Sequence, residues 1–94
     1  MRKIFNEGNY WEKTKTGELV TVLMEDRHPA RILAQEPTCT RSQMISYRDN
    51  ENNEVARVHQ YLRPDKTIGA SKRPDPKRLF EGGILYRLHK KPKT

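Results

Sequence analysis

Two runs of alternating character, Gln43–Asp49 and Glu54–Leu62, flank Asn50-Glu51-Asn52-Asn53, and no other feature limits the fold of this chain as strongly. Side chains alternate between the two faces of a strand, and a short polar insert between alternating runs is a hairpin signal. With Asn50–Asn53 as the loop, Asp49 stands opposite Glu54, Tyr47 opposite Ala56 and Ile45 opposite Val58. One face then gathers Ile45, Tyr47, Ala56, Val58 and Leu62. The other gathers Met44, Ser46, Arg48, Val55, Arg57, His59 and Tyr61. A slip of one residue mixes the two sets, so this register is the expected one, although it opposes two carboxylates.

The flanking segments follow the same logic. Leu19–Met24 is short and rich in β-branched residues, which predicts a strand; Glu25–Pro29 turns the chain, and Ala30–Gln35 returns as a second strand closed by Pro37. Upstream, Arg2–Asn9 ends in a turn at Glu7-Gly8-Asn9, and Lys13–Gly17 reads as a loop. Downstream, Asp75 and Pro76 carry the marks of a helix N-cap and first helical residue, and Glu81-Gly82-Gly83 would stop that helix after about one turn. Ile84–His89 alternates again and reads as the last strand. The expected fold is therefore mainly β. It is a single domain over 1–94 with one small antiparallel sheet, or a partly open barrel, of five to six short strands. One short helix lies near Pro76–Phe80, and a basic tail occupies 89–94. The alternative is an α+β domain in which the N-terminal segment or residues 30–36 are helical. The expected core comprises Trp11, Leu19, Val20, Val22, Leu23, Ile32, Ile45, Tyr47, Val58, Leu62, Ile84, Tyr86 and Leu88.

Charge is distributed unevenly along these elements. The chain carries 19 Lys/Arg against 12 Asp/Glu, a net charge of +7, and the excess lies beyond residue 54. Such a concentration attracts polyanions by counterion release, whatever the fold. The longest apolar run, Leu19–Met24, is far too short for a helical membrane span, and no apolar stretch follows Met1-Arg-Lys as a secretory leader requires. The single cysteine, Cys39, suits a reducing compartment, so a cytoplasmic location with no membrane association is expected.

Two basic regions emerge as candidate nucleic-acid contacts. The first is the outward hairpin face, with Arg48, Arg57, His59 and Tyr61, joined by Arg87 on the last strand. Guanidinium and aromatic planes of this kind stack on unpaired bases and fork onto phosphates. The second is the stretch from Arg63 to Arg78, where Arg63, Lys66, Lys72, Arg73, Lys77 and Arg78 are punctuated by Pro64, Gly69, Pro74 and Pro76. Gly69-Ala-Ser-Lys72 lacks the spacing of a phosphate-binding P-loop, which excludes nucleotide hydrolysis of that kind. His28, His59 and His89 share no metal-ligand spacing, so neither metal nor cofactor is expected.

Leu79–Leu88, with Gly83-Ile-Leu-Tyr-Arg-Leu88, looks like the closing sheet region of RelE-type ribonuclease toxins over these ten residues. The N-terminal half lacks that family's long helical hairpin, and no catalytic residue carries over. The leading expectation is a non-enzymatic protein that binds RNA or single-stranded DNA. The alternatives are a small, toxin-like ribonuclease that uses His59, and an interaction or inhibitor protein of mobile-element type whose basic half covers an acidic protein surface.

Overall fold

The turn at Asn50–Asn53 organises the centre of the sheet. In the computed structural model, which describes residues 1–28, 35–69 and 72–87, the Asp49 carboxylate accepts hydrogen bonds from the N–H groups of Glu51 (2.9 Å) and Asn53 (3.0 Å). The strands on either side, β2 (Arg41–Arg48) and β3 (Glu54–Leu62), pair with Tyr47 opposite Ala56 and Ile45 opposite Val58. That is the register expected from the alternation. The pairing departs from expectation only at the turn, where a bulge sets Glu54 opposite Arg48 instead of Asp49. Asp49 is drawn into the loop as a hydrogen-bond acceptor, and the opposition of two carboxylates disappears.

Five strands run antiparallel in the order β1-β2-β3-β4-β5 among the described residues, with β1 at Val20–Arg27, β4 at Asp75–Glu81 and β5 at Ile84–Arg87. The small antiparallel sheet is as expected; the helix expected at Pro76–Phe80 is instead β4. Pro76 is accommodated because the β3–β4 register shifts between Arg57 and Val58, at the place where Pro76 pairs. Gly82 and Gly83, read as a helix stop, form the two-residue turn into β5. Both have positive φ (59° and 79°), as a tight turn of this kind requires.

At the N-terminus the turn expected at Glu7-Gly8-Asn9 is present at Gly8-Asn9, but the loop expected at Lys13–Gly17 is helical through Thr16, and the segment follows the α+β alternative. It forms α1 (Arg2–Glu7) and α2 (Tyr10–Thr16). Helices this short are unstable alone, so burial decides. Phe5 stacks on Tyr10 at 5.7 Å between ring centroids and lies 6.0 Å from Tyr47. The two helices thereby cover one face of the sheet and close a core of Phe5, Tyr10, Leu19, Tyr47, Ala56, Val58 and Leu79.

Leu19, Tyr47 and Val58 are buried as expected, while Trp11, Ile45, Leu62 and Tyr86 are half-buried. Val20, Val22, Leu23 and Ile84 are corrections, since all are exposed. Val20 and Val22 pair with Arg48 and Ser46 and so share the face away from the helices, whereas Leu23 and Ile84 stand on the edge strands β1 and β5, away from the core under the helices. Ile32, Leu88, the strand expected at Ala30–Gln35 (apart from Gln35) and the tail at 89–94 lie outside the described residues. No helix among the described residues is long and apolar enough to cross a membrane.

Candidate nucleic-acid interface

The face of the sheet opposite the helices carries the charge. Arg57 on β3 pairs with Arg78 on β4, and Arg78 pairs with Arg87 on β5, so three arginines stand side by side on neighbouring strands. Like charges directly opposite one another destabilise a sheet. Glu54 relieves part of that strain: Arg57 donates to both of its carboxylate oxygens (3.1 and 3.2 Å), and Arg78 Nε lies 3.8 Å away. Ser46 donates a further hydrogen bond to Glu54 (2.6 Å), and Arg48 Nε in turn donates to Ser46 Oγ (3.2 Å). Burial alone would raise the Glu54 pKa; the Ser46 hydroxyl and the two guanidinium groups outweigh it and hold the carboxyl below its ordinary value. Arg87 is exposed and makes no ion pair among the described residues. One carboxylate thus serves several cations.

Further along the same face, His59 meets Tyr61 edge-on at 4.7 Å and shares a 2.7 Å hydrogen bond between its Nε2 and Ser42 Oγ. Burial, and then the nearby Lys77 ammonium, push the His59 pKa below its usual value despite Asp75, which acts in the other direction. The shift favours the neutral imidazole. Lys77 and Arg2 both pair with Asp75, at 2.9 and 2.7 Å.

Sequence reasoning missed Phe80. The sequence pattern places it in a helix, but as the neighbour of fully buried Leu79 on a strand it turns to the open face, where it is 49% exposed. With Leu85, Arg78 and Glu54 it lines a shallow hollow of about 240 Å³. The signal that finds it is Gly82-Gly83 read as a hairpin turn, since a tight hairpin extends alternation back through Lys77–Glu81.

The structure therefore brings Arg48, Arg57, His59, Tyr61, Lys77, Arg78 and Arg87 onto one face and sets the loop cations apart from it. Arg63 is bound to the well-buried Glu36 carboxylate (2.8 Å). Arg73 donates to Glu12 (3.1 Å) and Asn6 (3.2 Å), and its guanidinium lies 4.7 Å from the Trp11 ring centroid. Lys66 and Lys72 are exposed on the loop beside Trp11. Arg73 is the link between the two regions, since with His59, Tyr61, Arg2 and Asp75 it also lines a small hollow of about 140 Å³. The whole chain was compared with protein-family models, curated proteins and solved structures, and none of the three comparisons found a match.

Proposed function

We propose that the protein binds single-stranded nucleic acid, RNA or DNA, on the open face of its sheet, and that it does so as a binding module without chemistry of its own. The observation that carries this reading is the row Arg57–Arg78–Arg87 with exposed Phe80 beside it. Guanidinium groups compete for few carboxylates here, and a phosphate backbone laid across the row supplies the missing anions with release of its counterions. Phe80 and Tyr61 offer ring faces or edges to unpaired bases, which a duplex keeps stacked inside itself. Titrating a fluorescently labelled single strand at rising salt tests the reading. Binding in the micromolar range at about 50 mM salt, falling steeply as salt rises, is the expected outcome. Absence of binding at low salt overturns it. A surface built for an acidic protein would share the salt dependence but would bind single strand and duplex alike.

One observation favours a second reading, that of a ribonuclease. The His59 imidazole is hydrogen-bonded to a hydroxyl, and its surroundings favour the neutral form that a general base needs. Under that reading labelled RNA is cleaved and His59→Gln abolishes cleavage while strand binding persists. Under the binding-module reading the RNA stays intact over hours.

A further inference from the structure

Away from the open face, the loop between β3 and β4 and Trp11 of helix α2 border an open, shallow cleft of about 490 Å³, which is within the usual size range of small-molecule sites. Its walls include the indole of Trp11 on one side and Arg63, Asp65, Lys66, Thr67 and Lys72 on the other. The loop wall is built before any ligand arrives. Arg63 N–H donates to the Thr67 carbonyl (2.9 Å), Lys66 N–H to the Arg63 carbonyl (2.9 Å), and the Thr67 N–H and hydroxyl both donate to the Asp65 carboxylate (2.9 and 2.6 Å). Gly69 N–H donates to the Tyr61 carbonyl (2.8 Å) and anchors the loop to β3.

The charges in the cleft divide into two kinds. Arg63 is committed to Glu36 and Asp65 to Thr67, so neither is free for an incoming group. Lys66 and Lys72 have no ion-pair partner among the described residues, and both are exposed. Two uncommitted ammonium groups and an aromatic ring in one nucleotide-sized cleft call for a ligand with an anionic end and a flat one. The two lysines repel a cation, and a purely apolar ligand would gain nothing from them. Lys15 Nζ (3.9 Å) and Arg73 (4.7 Å) already lie over the indole ring, so a base that stacks there takes the place of the exposed Lys15 ammonium.

We infer that the cleft binds a nucleoside phosphate, its base against Trp11 and its phosphate held by Lys66 and Lys72. The nucleotide is either free or the phosphorylated end of a strand. The free form does not depend on the open face holding a strand. The end of a strand does rest on that reading, because the strand would reach the cleft past Arg73, which lines the hollow beside His59 and Tyr61.

Trp11 is the only tryptophan in the chain, so its fluorescence and indole N–H resonance report on this cleft alone. Adenosine monophosphate is titrated into the intact protein beside adenosine and inorganic phosphate. The nucleotide is expected to quench Trp11 with a dissociation constant of about 1 mM or tighter. Adenosine should bind at least tenfold more weakly, and phosphate should compete without quenching. Lys66→Gln with Lys72→Gln, two exposed changes that keep the side-chain stem, should weaken the nucleotide by roughly tenfold or more. Arg57→Gln with Arg78→Gln should leave it unchanged. Equal binding of adenosine and its monophosphate, or full binding by the lysine variant, overturns the inference; so does loss of binding in the arginine variant. A 5′-phosphorylated oligonucleotide that quenches Trp11 more than its unphosphorylated twin marks a strand end as the source. Equal quenching by the two leaves the free nucleotide as the ligand.

Discussion

Leu79 and Phe80 are neighbours on one strand and belong to different economies. Leu79 is fully buried among Phe5, Tyr47 and Ala56, whereas Phe80 is half in water beside Arg78 and Leu85. The contrast holds across the centre of the sheet: the face under the helices closes on an apolar core, and the other carries Arg57, Arg78 and Arg87 among exposed Val20, Val22, Phe80 and Leu85. Strand alternation separates the two tasks one residue at a time. Stability resides on the first face. The cost of crowded arginines falls on the second, and under the proposed function the anions of a bound strand would offset it.

The hardest way to break this contrast is to damage the closed face. Leu79→Ala should cost about 2–5 kcal/mol, because the methyl groups it removes leave a void under Phe5 and Tyr47. Urea unfolding measures it. The fraction that remains folded should bind single strands as the parent does, and a loss of affinity in that fraction would join the two faces that the contrast separates.

Next in size is the arginine row. Arg57→Gln with Arg78→Gln should flatten the dependence of log affinity on log salt by about two and weaken single strand and other polyanions together. Glu54 then loses its guanidinium partners, so a small fall in stability is expected too, of the order of an exposed pair, about 0–1 kcal/mol each. An unchanged salt slope would mean that these arginines serve only to balance Glu54.

The Phe80→Ala change is smaller and more selective. Stability should shift by about 0.5 kcal/mol or less, as for other exposed positions. Single-strand affinity should fall by about 1–3 kcal/mol with the salt slope intact, since stacking rather than charge is lost. Fluorescence anisotropy at two salt concentrations separates this from the arginine effect.

How much of this was legible depends on which physical signals were local. The β2–β3 register could be read because only one register segregates Ile45, Tyr47, Ala56 and Val58 from Arg48, Arg57 and His59. The fate of Asp75-Pro76 could not, because an N-cap followed by proline and a proline at a strand bulge use the same two residues. The N-terminal helices left almost no trace. Neither Met1 nor Asn9 makes a side-chain cap, and burial of Phe5 and Tyr10 with Tyr47, more than thirty residues away, holds these helices in place. The site was half legible for a similar reason. The open-face arginines follow from alternation, but the separation of Arg63 and Arg73 depends on Glu36 and Glu12, partners that no spacing rule connects to them.

The finest distinction between the two faces is in their titration. On the closed face, burial raises the phenol pKa of Tyr10 and of Tyr47, so each stays neutral to higher pH in the fold than in the unfolded chain. Their contribution is complete below the ordinary value of 10.0 and is lost as pH rises from there toward the folded value. The open face behaves in the opposite sense. His59, with its pKa held under 6.5 by burial and Lys77, is protonated first in the unfolded chain, so stability begins to fall as pH drops below 6.5 and levels off beneath the folded value. Asp75 and Glu54 follow. Burial raises both, but it is outweighed at Asp75 by Lys77 and Arg2 and at Glu54 by Ser46, Arg57 and Arg78, so stability present above their ordinary values of 3.8 and 4.5 is lost as pH falls through the folded ones. A thermal-melting profile should therefore decline at both ends, with a shallow acid step from about pH 6.5 before a steeper one. His59→Gln should remove the shallow step and leave the alkaline limb alone, whereas Tyr47→Phe should reduce the alkaline limb and leave the acid steps in place. If either variant alters the opposite end of the profile, the two faces are coupled through the sheet and the division of labour between them fails.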